Sequence, residues 1–180
     1  MAGRGYLEQI RFLVVDDNAF SRQLIRSIIA QFGARNVHEA NSGESAKDEV
    51  KSFKPDIIIV DWVMSPMDGM EFVSWLRESP DSPEPFTPVI MVTAYSHMRN
   101  IMQARDAGIN EFLAKPISAK SLIMRVQAVI EKPRQYVRAD DYFGPDRRRR
   151  ALPHRGTDRR DHPFDDGDVD VVDLGPVTGG

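Results

Sequence analysis

Short apolar runs recur along the first part of the chain, and each run ends in a polar residue. Residues 11–15, 56–60 and 88–92 are almost continuously apolar. Strands covered by helices on both faces have this pattern, whereas half-exposed strands alternate between apolar and polar residues. Residues 36–40 and 109–113 are weaker strand candidates. The pattern therefore predicts five strands.

Between these strands, apolar residues recur at the spacing of an amphipathic helix. The clearest set comprises Phe20, Leu24, Ile25, Ile28, Ile29 and Phe32. Gly33 follows this set and predicts the end of the helix. Further helices are predicted over residues 42–53, 69–78, 97–107 and 118–132. Ser42 and Ser118 are the expected N-caps.

Five strands that alternate with five helices predict an α/β fold. Because crossovers between parallel strands are right-handed, such a chain builds a doubly wound, five-stranded parallel sheet. We expect the strand order 2-1-3-4-5. This order places the switch point of the sheet between the first and third strands.

The composition changes near residue 132. Beyond it Pro, Gly, Asp and Arg dominate, and aliphatic residues are scarce until a short run at 169–172. A segment with so little apolar surface cannot offset the entropy lost when its backbone is ordered. We expect a folded domain over residues 8–132 and a disordered tail over 133–180.

The overall composition excludes several classes of protein. A formal net charge of -3 and an isoelectric point near 5.8 predict no global preference for polyanions. The chain contains no cysteine, which excludes disulfides, thiolate metal sites and cysteine nucleophiles. The apolar runs are too short to cross a bilayer, and the N-terminus lacks the apolar segment of a secretory signal. We expect a cytoplasmic protein without a membrane partner.

Polar residues that carry chemistry stand at the ends of four predicted strands. Asp16 and Asp17 follow the first strand, Asp61 the third, Thr93 the fourth and Lys115 the fifth. The carboxyl ends of parallel strands share one edge of the sheet, so these side chains can converge there. Three carboxylates this close repel one another unless a cation lies between them. All-oxygen ligation in an open site favours Mg²⁺.

Each of these residues suits one part of phosphoryl chemistry. Asp61 can attack phosphorus and form an acyl phosphate, because a metal ion and a second cation neutralise the developing charge. Lys115 suits a point contact with one phosphate oxygen, and the Thr93 hydroxyl can donate to another. A cis Lys115–Pro116 peptide would aim the lysine inward. Singly, each feature also has a structural explanation, such as an Asp pair that caps a helix, but their joint order favours one site.

Five motifs follow one another along the chain: VVDDN at 14–18, DIIIVDW at 56–62, MDGM at 67–70, VTA at 92–94 and FLAKP at 112–116. With these motifs, residues 10–131 resemble the receiver domain of two-component response regulators, which has a flavodoxin-like fold. The resemblance implies that a histidine kinase or a phosphotransfer protein phosphorylates Asp61. It also implies that Mg²⁺ binds Asp17, Asp61, the backbone carbonyl of Val63 and, partly through water, Asp16.

The same resemblance implies a conformational switch. Phe112 occupies the aromatic switch position and turns inward as Thr93 moves toward the phosphoryl group. This population shift changes the surface formed by the fourth helix, the fifth strand and the fifth helix. The chain would then be a stand-alone receiver that signals by contact with an unknown downstream protein. It would be consumed stoichiometrically and would not be an enzyme.

Three features depart from the usual family pattern. Pro66 stands one residue later than usual, with Ser65 in the expected proline position. Phe112 lacks the hydroxyl that a tyrosine would offer a partner. Val63 and Tyr95 flank the path of a water molecule that would attack the acyl phosphate, so their bulk predicts slow self-hydrolysis.

Two other families use related sites. Haloacid-dehalogenase-like phosphatases also combine an Asp nucleophile with Thr, Lys and Mg²⁺, but they place a second Asp two residues later as the general acid. Val63 occupies that position here and cannot transfer a proton, which disfavours sustained hydrolysis of phosphate esters. Flavodoxins hold the FMN phosphate in a Ser/Thr/Gly-rich loop. The loop here begins with Asp16, Asp17 and Asn18, which would repel phosphate without a metal.

The tail contains a Gly-x-Asp-Arg-Arg unit twice, at 144–148 and 156–160. Residues 132–160 contain ten basic and four acidic residues, a net charge of +6, whereas residues 161–180 contain six acidic and no basic residues. Such opposed blocks can bind separate partners or pair with each other. Arginine forks bind phosphate or carboxylate groups through paired hydrogen bonds. The candidate docking residues are Arg147, Arg148, Arg149, Arg150, Arg159 and Arg160.

A solvated tail with only local charge pairing is the simpler explanation of these blocks. One alternative function is a nucleic-acid-linked regulator that acts through the arginines. The acidic terminus and the absence of a helix-turn-helix pattern disfavour it. A second alternative is a phosphorelay intermediate that passes the phosphoryl group onward.

Overall fold

The computed structural model describes residues 7–94, 108–139 and 142–146 of the 180-residue chain. Its main strands are β1 (Arg11–Val15), β2 (Asn36–Ala40), β3 (Ile57–Asp61), β4 (Val89–Thr93) and β5 (Glu111–Ala114). All neighbouring pairs are parallel. They form one sheet in the order β2-β1-β3-β4-β5, which confirms the predicted topology.

Four helices lie within the described residues. They are α1 (Ala19–Gln31), α2 (Gly43–Phe53), α3 (Gly69–Glu78) and α4 (Ala119–Glu131). Each was expected from the apolar pattern, whereas the helix predicted over 97–107 lies outside the described residues. Within those residues, the structure contains no helix that could span a membrane.

The continuous apolar runs are explained by burial on both faces of the sheet. Successive strand residues point to opposite faces. Phe12 and Val14 of β1 pack in one apolar cluster with residues of α1 and α4. Leu13 and Val15 pack in a second cluster with residues of α2 and α3. Since both faces are covered, neither set of positions in these runs can be polar, and β1, β3 and β4 do not alternate.

The helix ends follow local side-chain chemistry. The hydroxyl of Ser42 accepts a hydrogen bond from the backbone of Ser45, and Ser118 does the same for Ser121, so both predicted N-caps are confirmed. Gly33 has a φ of 100° and directly follows the C-cap of α1. Glycine adopts this left-handed conformation without the penalty that a Cβ atom imposes. The predicted helix stop at Gly33 is therefore also confirmed.

A C-terminal hairpin was not expected from the sequence. Strands β6 (Tyr136–Ala139) and β7 (Tyr142–Pro145) pair antiparallel. The prediction of disorder from residue 133 onward is therefore wrong for these residues. Residues 140–141 and 147–180 of the predicted disordered tail lie outside the described part.

Aromatic packing explains why the hairpin is ordered. The ring of Phe86 lies edge-on to those of Tyr136 and Phe143, with centroid distances of 5.4 and 5.3 Å. The guanidinium of Arg77 lies over the Tyr136 ring at 5.2 Å. Aromatic pairs and cation–π contacts each contribute roughly 0.5–1.5 kcal/mol. The prediction of disorder considered the small number of aliphatic residues in this segment. A few large aromatic rings bury comparable apolar surface, so the stabilisation was underestimated.

Candidate functional site

Three carboxylates meet at the carboxyl ends of β1 and β3, which are neighbours in the sheet. Asp16 and Asp17 directly follow β1, and Asp61 is the last residue of β3. One oxygen of each residue lies within 4.8 Å of the others. Asp16 is 1% exposed and Asp61 is 6% exposed, whereas Asp17 is exposed. The predicted convergence of these residues is therefore present in the structure.

Lys115 brings a positive charge to the same place from the end of β5. Its ammonium nitrogen lies 2.9 Å from Asp61 Oδ1 and 3.5 Å from Asp16 Oδ2. The backbone N–H of Lys115 donates to the carbonyl of Thr93 at 2.8 Å, which ties the residue to the end of β4. The Lys115–Pro116 peptide is cis, as predicted, and so is Ser65–Pro66.

One buried oxygen of Asp16 is suited to bind a cation. Asp16 Oδ1 accepts a hydrogen bond from the backbone of Asn18 at 2.8 Å. Asp16 Oδ2 is buried and accepts no hydrogen bond, and the Lys115 ammonium approaches it only to 3.5 Å. An unsatisfied buried acceptor costs about 1–3 kcal/mol. The donor set, three carboxylates in reach of one another, fits a hard divalent cation such as Mg²⁺.

The charges of the site affect one another. Burial raises the pKa of Asp61 above its ordinary value; the hydrogen bond from Lys115 opposes this shift, and the negative charges of Asp16 and Asp17 add to it. Burial also lowers the pKa of Lys115, but its hydrogen bond to Asp61 and the charges of Asp61 and Asp16 outweigh burial, so this pKa is raised. An ionised Asp61 is therefore held against an unfavourable environment that a further cation would relieve.

Thr93 and Phe112 occupy the positions expected of them on the sheet. Thr93 ends β4 opposite Ala114 of β5, and it is 3% exposed. It therefore lies at the same edge of the sheet as Asp61, which pairs with Val92. Phe112 is half-buried and packs against the apolar cluster on the α2–α3 side of the sheet.

The loop after β3 is packed tightly against Asp61. The backbone N–H of Gly69 donates to the carbonyl of Trp62 at 2.9 Å. A Cβ atom on Gly69 would collide with the backbone oxygen of Asp61. Asp68 caps α3 by accepting from the backbone of Glu71. The glycine therefore allows the helix to begin directly beside the site.

Val63, two residues after Asp61, has a side chain that is 51% exposed. It offers no group that could transfer a proton. Tyr95, its expected counterpart, lies outside the described residues, and so do the six tail arginines that were predicted to dock a partner. One described neighbour of the site, Arg22, has no signal in the apolar pattern. Its guanidinium donates to the backbone carbonyl of Asp16 at 2.7 Å.

Comparison with known proteins places this geometry in a family. The family model of the response regulator receiver domain matches residues 12–127. The chain is 28% identical over 125 residues to the chemotaxis protein CheY-3 of Vibrio cholerae, and the match covers 69% of this chain and 95% of that protein. It is 30% identical over 123 residues to the chemotaxis protein CheY of Pseudomonas aeruginosa, covering 68% and 98%.

Solved structures agree with this assignment. The receiver domain of the Francisella response regulator 1452 has a TM-score of 0.63 and 27% identity, over 69% of this chain and 98% of that chain. The chemotaxis protein CheY4 of Vibrio cholerae has a TM-score of 0.61 and 28% identity, over 67% of this chain and 98% of that chain. The chain therefore belongs to the response regulator receiver domain family, whose members act in phosphorelay signalling.

Proposed function

We propose that Asp61 accepts a phosphoryl group from a histidine kinase or a phosphotransfer protein. The observation that carries this proposal is the Lys115 ammonium 2.9 Å from Asp61 Oδ1, beside a buried Asp16 oxygen that accepts no hydrogen bond. These groups form a nucleophile, a cation and a metal-compatible acceptor at one edge of the sheet. This combination suits phosphoryl transfer to a carboxylate.

In the proposed reaction, a carboxylate oxygen of Asp61 attacks the phosphorus of the donor phosphohistidine. The P–N bond breaks, its electron pair remains on the donor imidazole nitrogen, and an acyl phosphate forms on Asp61. The ammonium of Lys115 contacts one oxygen of the transferred group, and the Thr93 hydroxyl donates to another. Both contacts become stronger as negative charge moves onto these oxygens.

Asp16, Asp17, Asp61 and the backbone carbonyl of Val63 would hold Mg²⁺. When bound, this ion supplies positive charge that offsets the repulsion between the carboxylates and the incoming phosphoryl group. Asp16 contributes the buried oxygen Oδ2, and Asp17 contributes an exposed carboxylate at the mouth of the site. Burial raises the pKa of Asp61, and the hydrogen bond from Lys115 opposes this shift and so favours the ionised form that the nucleophile requires.

The proposed output is a change in protein contacts. Phosphorylation draws Thr93 toward the new group and turns Phe112, which is half-buried on the neighbouring strand, further inward. The protein passes one signal for each phosphoryl group and does not turn over a substrate, so we do not assign it an enzymatic activity. The nucleic-acid alternative depends on the tail, which lies outside the described residues. A phosphorelay intermediate would use the same acceptor, Asp61, and would pass the phosphoryl group onward instead of changing protein contacts.

Incubation with Mg²⁺ and a small phosphodonor, followed by intact-mass measurement, tests the proposal. The expected result is a mass gain of one phosphoryl group that requires Mg²⁺ and is lost in Asp61→Ala. A gain that persists in Asp61→Ala would place the acceptor elsewhere. If the expected result is obtained, crosslinking of the phosphorylated protein in host lysate identifies the downstream partner.

A further inference from the structure

Arg22 connects helix α1 to the acidic loop of the site. Its side chain is only 16% exposed. One guanidinium nitrogen, Nη1, donates to the backbone carbonyl of Asp16 at 2.7 Å. On its other side, Nε lies 3.3 Å from Glu39 Oε2, on strand β2. Arg22 is therefore held from two directions, and the Asp16 carbonyl is one of its two anchors.

The hydrogen bond from Arg22 to the Asp16 carbonyl restrains the backbone of both Asp16 and Asp17. The peptide between Asp16 and Asp17 is planar, so a fixed Asp16 carbonyl also fixes the N–H and the Cα atom of Asp17. The other side of Asp16 is fixed as well, because its backbone N–H donates to Ala40 at 3.2 Å and its Oδ1 accepts from Asn18. Asp17 itself is exposed. The direction of its carboxylate therefore depends on the backbone that Arg22 holds.

We propose that Arg22 is a positioning residue that orients the Asp16–Asp17 loop for binding of the divalent cation. The proposal rests on the function proposed above and assigns a role to a residue that does not itself touch the metal or the phosphoryl group. A positioning role predicts that removal of Arg22 weakens the affinity for Mg²⁺. The positive charge of Arg22 alone would repel a cation, so a weaker metal affinity after its removal can come only from lost geometry.

The test compares two glutamine variants of the full chain. Arg22→Gln removes the contact with Asp16. Arg26→Gln is the matched control, because Arg26 lies on the same helix and also pairs with Glu39, at 3.0 Å, but it does not contact the loop. Mg²⁺ affinity is measured by calorimetry and by tryptophan fluorescence, to which Trp62, directly after Asp61, contributes together with Trp75. Half-saturating Mg²⁺ for phosphorylation by a small phosphodonor is measured in parallel.

We expect Arg22→Gln to raise the Kd for Mg²⁺ about tenfold, the lower end of the effect of residues that orient metal ligands. Arg26→Gln should leave the Kd unchanged or slightly lower. The half-saturating Mg²⁺ concentration should rise in the same proportion, while the phosphorylation rate at saturating Mg²⁺ stays close to that of the wild type. Arg22→Lys, which keeps the charge and a donor nitrogen but not the guanidinium fork, should recover part of the affinity.

Each outcome has one interpretation. A wild-type protein that does not bind Mg²⁺ contradicts the proposed function itself. If the wild type binds Mg²⁺ and Arg22→Gln binds it equally or more tightly, the positioning role is wrong and the proposed function stands. If Arg22→Gln does not fold, Arg22→Lys and Glu39→Gln replace it, and an unchanged Kd in both overturns the proposal.

Discussion

At the scale of single residues, the ionised carboxylate of Asp61 is needed for phosphorylation but lowers the stability of the folded domain. Its pKa is raised chiefly by burial, so the folded state binds the proton more tightly than the unfolded state does. Stability contributed at Asp61 is therefore present below its ordinary pKa of about 4 and is lost as pH rises through the higher folded pKa. At neutral pH the charge on Asp61 destabilises the metal-free domain.

Asp61→Asn should therefore raise the free energy of unfolding at neutral pH without Mg²⁺, because the amide keeps an acceptor for Lys115 but carries no charge. Mg²⁺ should reverse this order. The wild type gains about 2.7 kcal/mol when Mg²⁺ exceeds its Kd a hundredfold, and Asp61→Asn gains less because it has lost one ligand. Urea denaturation with and without Mg²⁺ measures both effects. A metal-free variant less stable than the wild type would show that the Lys115 ion pair outweighs burial.

Gly69 provides a second test at this scale. In Gly69→Ala the new methyl group meets the backbone of Asp61, which cannot move without shifting the end of β3. We expect a loss of about 1–3 kcal/mol in the free energy of unfolding and slower phosphorylation. Gly43→Ala is the control, because its methyl group would instead meet the Met67 side chain, from Sδ at 2.6 Å to Cβ at 2.8 Å, and no backbone atom of the site. Equal losses in the two variants would contradict the special role of Gly69.

The acidic residues and Lys115 could be predicted from sequence because the apolar runs show where each strand ends. Parallel strands then bring those ends to one edge without any knowledge of side-chain contacts. Arg22 could not be found in this way. Its function depends on a hydrogen bond to a backbone carbonyl, and backbone acceptors are the same at every position in the sequence.

At the scale of elements, an ion pair aligns the starts of β1 and β3. Arg11 Nη2 lies 2.9 Å from Asp56 Oδ1, and the backbone N–H of Arg11 donates to Asp56 Oδ2 at 2.8 Å. The hydrogen bond from Arg11 lowers the pKa of Asp56. A lowered folded pKa stabilises the protein above the ordinary value of about 4, and this stability is lost as pH falls through the folded pKa.

Asp56→Asn should therefore destabilise the domain at neutral pH and have little effect in acid. Both side chains are more than 40% exposed, so solvent screening limits the expected loss to about 1 kcal/mol. Unfolding free energies of variant and wild type, measured from neutral pH to below pH 4, should converge as the pH falls. Asp48→Asn, which alters an exposed carboxylate on α2, serves as the control. A difference that stays constant with pH would rule out the ion pair as its cause.

The hairpin allows a prediction about its own docking. Tyr136→Ala removes the ring that contacts Phe86 and Arg77, and we expect a loss of about 2 kcal/mol for this half-buried aromatic. Val137→Ala, at the next position of β6 and 38% exposed, should change stability by less than about 0.5 kcal/mol. Urea midpoints measure both variants. Similar small effects would mean that the hairpin contributes little to folding.

Three of the five main strands, β1, β3 and β4, were readily predictable because each has a continuous apolar run, whereas β2 and β5 gave weaker signals because polar residues interrupt them. The hairpin was not predicted, since neither of its strands has such a run. Its order depends on Phe86 and Arg77, which lie 50 and 59 residues before Tyr136 in the chain. The sequence offered only a weak signal, two short segments with aromatic residues on either side of Asp140 and Asp141, a residue type common in turns.

At the scale of the whole molecule, the reactive groups and the hairpin lie at opposite edges of the sheet. The hydroxyl of Tyr136 lies 3.5 Å from the carbonyl of Thr87 and 3.4 Å from Asn110 Oδ1. Thr87 lies two residues before β4 and Asn110 directly precedes β5, whereas Thr93 and Lys115 stand at the other ends of these strands. Six residues of extended chain separate Thr87 from Thr93, a distance of about 20 Å.

Stability and phosphorylation should therefore respond to different variants. Under conditions where all proteins are folded, Tyr136→Ala should be phosphorylated by a small phosphodonor at the wild-type rate although it unfolds at lower urea. Asp61→Asn should show the reverse, with no phosphorylation and a higher urea midpoint in the absence of Mg²⁺. Intact mass over time and urea denaturation on the same samples provide the comparison. A reduced phosphorylation rate in folded Tyr136→Ala would show that the hairpin is coupled, through β4 and β5, to the acceptor at the far edge.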